Sequence, residues 1–169
     1  MKACWISALA LAAAAGAPAA AQDAEVWPID ADSSACTTSR IGSATSDALV
    51  VRYDPAAREI MLETAVEDSG PVSRPGTASL WIIFDKGRGE ELDIAWGYRQ
   101  FAVRSDDGRI ALSTRFSGTR NIDQILADLG SSRRLGLVLE EKTVADFDLT
   151  GIAPALARLK ACASQLAAR

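Results

Sequence analysis

Leu49-Val-Val-Arg-Tyr53-Asp-Pro-Ala-Ala-Arg-Glu59-Ile-Met-Leu-Glu-Thr-Ala65 carries two runs of alternating apolar residues around a turn. Leu49, Val51 and Tyr53 fall on one face of the first run, and Ile60 and Leu62 on one face of the second. Asp54-Pro55-Ala56-Ala57 supplies the reversal, because proline is preset for position i+1 of a type I turn. Period-two alternation on both sides of a turn predicts a β-hairpin with one buried face.

The same alternation extends outward. Ala35–Ile41 is rich in Thr and reads as a strand before the hairpin. Residues 66–76 read as a loop. Thr77–Asp85 holds the most apolar run, Leu80-Trp-Ile-Ile-Phe84, and its continuity predicts a strand covered on both faces. Lys86-Gly-Arg-Gly89 reads as a turn. Leu92–Trp96 and Phe101–Arg104 read as two short strands. Gly97 between them weakens a strand and suits a bulge. Asp106-Asp107-Gly108 is a hairpin turn, since Asp-Gly accepts positive φ. In Arg109–Phe116, Ile110, Leu112, Thr114 and Phe116 alternate with Arg109, Ser113 and Arg115.

The period then changes. Ile122, Ile125, Leu126 and Leu129 follow helical spacing over 121–129. Asn121 is a candidate cap, Gln124 its partner in a capping box, and Gly130 the stop. Leu135–Glu141 and Thr143–Leu149 read as further strands. Residues 152–167 form a last helix with Ile152, Leu156, Leu159, Cys162 or Ala163, and Leu166 on its buried stripe. The expected class is α+β, mainly β. About eight short antiparallel strands make a sheet or sandwich with two helices, the last one C-terminal. One domain, 22–169, is expected after the leader.

Residues 1–21 read as a secretory signal peptide. Lys2 starts it, an Ala-rich apolar run follows, and Gly16, Pro18 and Ala19-Ala-Ala21 prepare cleavage before Gln22. Cys4 lies at the start of the apolar run, not at its end, which argues against a lipoprotein anchor. No later stretch is long and apolar enough for a transmembrane helix. Cys4 leaves with the leader, so Cys36 and Cys162 remain, and an exported pair predicts a disulfide.

Composition narrows the chemistry. The 169 residues contain no His and carry a net charge of −4. Ser-His-Asp triads, Cys-His pairs and His-based metal sites are therefore excluded. A mildly acidic chain with scattered Arg lacks the footprint of a nucleic-acid binder. No cofactor or metal motif is present: Gly87-Arg88-Gly89 does not continue into a dinucleotide loop. Glu90-Glu91, Asp106-Asp107, Glu140-Glu141 and the Asp146/Asp148 pair are the neighbouring carboxylates. Turn chemistry explains Asp106-Asp107, and exposure on strand ends or polar faces explains the last two. Trp81, Trp96, Tyr98 and Phe101 either fill the core or line a ligand groove. Trp96-Gly-Tyr-Arg-Gln100 is the best candidate for an exposed aromatic–arginine patch, so Trp81, Trp96, Tyr98 and Arg99 are the candidate contact residues.

The tail Phe147-Asp-Leu149-Thr-Gly151, followed by Ala155-Leu156, Leu159 and Cys162, resembles the ending of the invasion-associated locus B family of small exported bacterial proteins. The resemblance covers the leader and the C-terminal tail and includes no catalytic signature. It implies a β-rich accessory protein of the periplasm or cell exterior. The expected function is non-enzymatic binding of a protein or envelope partner. The alternatives are a carboxylate-based hydrolase and a small-ligand carrier with a pocket lined by Trp81, Trp96 and Tyr98.

Overall fold

A computed structural model of the chain describes residues 27–42, 47–67, 72, 74–87, 93–106 and 108–169, with backbone alone at 93–95 and 106. The expected leader and Glu90-Glu91 lie outside the described residues. The chain is mainly β with two helices. Among the described residues nine strands form one antiparallel sheet: β1 (Ile29–Ala31), β2 (Cys36–Ile41), β3 (Ala48–Asp54), β4 (Glu59–Glu67), β5 (Gly76–Asp85), β6 (Asp93–Asp106), β7 (Arg109–Ser117), β8 (Arg134–Leu139) and β9 (Lys142–Asp148). Their order is β1-β2-β3-β4-β7-β6-β5-β8-β9. The helices are α1 (Thr119–Ser131) and α2 (Ile152–Ala167).

The 49–65 hairpin forms as its alternation dictates. Val51 pairs with Leu62 and Tyr53 with Ile60. Leu49, Val51, Ile60 and Leu62 are fully buried. Asp54 Oδ1 accepts the Ala57 N–H at 2.9 Å, which closes the turn. One face of every long strand joins a single core with Ile122, Ile125, Leu126 and Leu129 of α1 and Ile152, Leu156 and Leu159 of α2. The sheet curls enough for its two ends to meet. Arg40 on β2 donates to the carbonyls of Asp148 and Thr150, both at 3.1 Å, and pairs with the Asp148 carboxylate at 3.0 Å. Trp27 Nε1 donates to the Thr150 carbonyl at 3.0 Å, so side chains close a seam that no backbone ladder spans among the described residues.

Cys36 on β2 and Cys162 on α2 form the expected disulfide, with Cα atoms 6.1 Å apart. The bridge lies on the inner face of the sheet, since Cys36 is wholly buried.

Several local expectations change. β5 is not covered on both faces. Leu80, Ile82 and Phe84 are buried, but Trp81 and Ile83 are only half-buried, because the helices occupy one face of the sheet alone. The two short strands around Gly97 are one long strand, β6. Gly97, at φ +56°, sits in a bulge where the pairing shifts from Ile82↔Gly97 to Ile83↔Ile94. A bulge bends a strand without ending it. Ile29–Ala31 adds an edge strand to β2.

The start of α1 differs too. Asn121 does not cap the helix. Gly118, at φ +82°, turns the chain out of β7, and its carbonyl accepts the Ile122 N–H at 3.0 Å. Helix therefore begins two residues before the Asn. Asn121 Nδ2 instead donates to the Ser117 carbonyl, and Gln124 Nε2 to Asp128 Oδ2. Gly130 lies inside the last turn, where a Cβ would stand 3.6 Å from Leu156 of α2.

Leu139 pairs with Lys142, so Glu140 and Glu141 alone connect β8 to β9. Their φ angles are +47° and +68°. Positive φ at both positions is the requirement of a type I′ turn, which Asn-Gly meets with the least strain. Glu140→Asn with Glu141→Gly raises unfolding stability by about 1 kcal/mol, read as a higher urea midpoint at unchanged m.

Candidate functional site

The structure separates the four candidate contact residues. Tyr98 pairs with Trp81 across β6 and β5, and Trp81 pairs with Val138 on β8. This row lies on the outer face of the sheet. The two rings meet edge to face, with centroids 4.7 Å apart and planes at 75°. Tyr98 is 59% exposed. Trp81, Ile83, Tyr98, Val138, Glu140 and Glu141 together line one open concavity.

Trp96 and Arg99 are elsewhere. In a regular strand Trp96 and Tyr98 would share a face, but the bulge at Gly97 breaks the alternation. Trp96 packs on Phe116 of the core at 4.9 Å and donates from Nε1 to Asp128 Oδ2 at 3.2 Å. Arg99 stacks over Trp96 at 4.9 Å and Phe116 at 5.5 Å. Its buried Nε meets no hydrogen-bond partner among the described residues. Trp96 does not join Trp81 and Tyr98 in lining their concavity. Nor do Trp96 and Tyr98 share an exposed patch. Phe101 belongs to the core.

Asp128 is the polar centre that sequence reading missed. Its side chain is 6% exposed and sits within α1 beside the apolar stripe. It accepts from Trp96 and from Gln124, and Lys86 Nζ stands 3.4 Å away. The only hint in the sequence is an acid next to Leu129 on a helix whose apolar stripe turns it inward. This cluster is fully internal in its bonding and fastens β6 to α1.

Asp146, Asp148 and Asp32 also do structural work. Asp146 pairs with Arg134 across the β8–β9 ladder. Asp148 accepts the Thr150 N–H at 2.9 Å and the Thr150 hydroxyl at 2.6 Å, and it receives Arg40. The Thr150 hydroxyl and N–H, helped by Arg40, hold the Asp148 carboxyl below its usual range against the opposing effect of burial. Asp32 is lowered likewise, first by the Ser34 and Ala35 N–H groups. Trp27, Arg40, Asp47, Leu49, Asp146, Phe147 and Asp148 line a smaller concavity along the seam, and its Asp146 and Asp148 are already engaged.

A carboxylate with a lowered folded-state pKa stabilises above its unfolded pKa of about 3.9, and that contribution fades as pH falls through the folded value. Unfolding stability is therefore expected to drop on acidification below pH about 4. Asp148→Asn flattens that fall, as followed by urea midpoints across the acid range.

Among the described residues no group of three or more acid or Cys side chains is placed to hold a metal ion. No helix among them is long and apolar enough to cross a membrane. The chain matches no family model, no curated protein and no solved structure.

Proposed function

We propose that the protein is an exported, non-enzymatic accessory protein that docks a protein partner on the outer face around Trp81 and Tyr98. The observation that carries this reading is the Tyr98–Trp81–Val138 row, an aromatic shelf left uncovered on the face opposite the helices. Exposed aromatic residues of this kind are the usual anchors of protein interfaces. The engagement of Asp32, Asp128, Asp146 and Asp148 takes these four out of the proton exchange with substrate that hydrolysis needs, which supports the binding reading. Export is supported by the leader-like segment 1–21 and by the Cys36–Cys162 bridge, a bond that persists in oxidising compartments.

The test places a photo-crosslinking amino acid at Tyr98 in the full chain expressed in its own host. A single discrete adduct is expected from the envelope or medium fraction. The adduct is lost when Val138→Lys is added, and a crosslinker at Ser164, on α2, gives none. Equal labelling from both positions, or an adduct indifferent to Val138→Lys, overturns the reading.

A further inference from the structure

The outer-face concavity has a chemistry of its own. Trp81 and Tyr98 form two walls near a right angle. Ile83 and Val138 form the apolar floor, and Glu140 and Glu141 are the charged groups of the lining. Among the described residues, neither Glu takes part in an ion pair or a side-chain hydrogen bond, unlike Asp146 and Asp148 nearby. Both are held at the tip of a hairpin whose positive φ angles suit Asn and Gly better than Glu. Strained backbone accumulates at working sites.

The concavity also continues. A second one shares Ile83 and Val138 and runs across Gly136 towards Thr143, Asp85 and the Arg134–Asp146 pair. Gly136 presents no side chain on this face. The two together make a trough across β5, β8 and β9, apolar along its floor and acidic at the aromatic end.

We infer that this trough takes an extended, lysine-bearing segment of the partner protein; the inference rests on the docking reading above. Aromatic walls attract an ammonium group through their ring faces, an apolar floor covers the methylene stem of lysine, and the two carboxylates meet its charged end. The net charge of −4 favours approach of a basic segment over an acidic one. An acidic peptide meets like charge at Glu140 and Glu141, and a purely apolar one leaves them without a counter-charge.

The probe is acetyl-pentalysine amide, titrated into the disulfide-bonded chain and followed by NMR shifts of the Trp81 indole and of the 138–141 amides. Saturable shifts confined to those residues are expected. Glu140→Gln with Glu141→Gln weakens binding about fivefold, the scale of two exposed ion pairs. Tyr98→Ala weakens it about tenfold. Added salt weakens the parent more than the Gln variant.

Pentaglutamate is expected to leave the spectrum unchanged. Shifts scattered over the molecule, or a Gln variant that binds as tightly as the parent, overturn the inference. So does saturation of the same signals by phosphocholine micelles with no response to pentalysine. A Tyr98 adduct that survives both the Gln substitutions and excess pentalysine leaves docking standing while the lysine assignment falls. Absence of any adduct removes docking itself.

Discussion

Cys36→Ser with Cys162→Ser lowers unfolding stability by about 5 kcal/mol, the largest single effect expected in this protein. The bridge joins positions 126 residues apart. Without it the unfolded chain regains nearly all the freedom of a loop of that length. A domain's whole net stability is about 5–15 kcal/mol, so the reduced protein stands close to its unfolding threshold. The bridge also anchors α2 to β2, and those elements border the seam. Urea titration with and without dithiothreitol measures the effect. The reduced wild type and the double Ser variant are expected to share one midpoint, well below that of the oxidised protein. A midpoint unmoved by reduction, with two free thiols counted by mass, contradicts the expectation.

Trp27→Ala costs about 3–5 kcal/mol, from lost burial and the cavity that remains. The indole is fully buried next to the seam. Three parts of the chain meet at Trp27, two through its indole and one through its backbone carbonyl. Its Nε1 donates to the Thr150 carbonyl beyond β9. Arg40 of β2 stands 5.9 Å over the ring. Arg158 of α2 donates to the Trp27 carbonyl at 3.0 Å. Trp27→Phe keeps an aromatic ring in the space and loses the Nε1 bond, a smaller loss of about 1–2 kcal/mol once the reduced volume is included. Chemical denaturation of both variants, with the disulfide intact, separates the two contributions. Similar losses in Ala and Phe variants would mean that the hydrogen bond, not the packing, carries the seam.

Docking strength and stability are expected to move in opposite directions at Glu140 and Glu141. The Asn-Gly replacement relaxes the hairpin and removes both carboxylates, so it gains stability and loses affinity for pentalysine.

The hairpin at 49–65, the β7 strand, both helices and the sulfur bridge were legible in the residues themselves. Each is specified locally, by period-two or period-3.6 apolar spacing, or by the two cysteines outside the expected leader. Errors fell where a local signal had a competing partner. Asn121 reads as a cap only until Gly118 is seen to turn the chain two residues earlier. Continuous apolar character in Leu80–Phe84 reads as double coverage, yet only alternate residues face the core.

The site itself depends on pairings that no local pattern encodes. Trp81 meets both Tyr98 and Val138 because β5 lies between β6 and β8, strands separated from each other by β7 and α1 in the chain. Trp96 leaves Tyr98 for Asp128 because one bulge at Gly97 reverses the facing of side chains. Sequence alone determined the class of fold and its covalent staple, since apolar period and cysteine count are properties of short stretches or of composition. Tertiary structure decided which aromatic residues share a surface and which carboxylates stay free beside them. Strand order and register are settled by the packing of the entire sheet, and a shift of one residue exchanges its two faces.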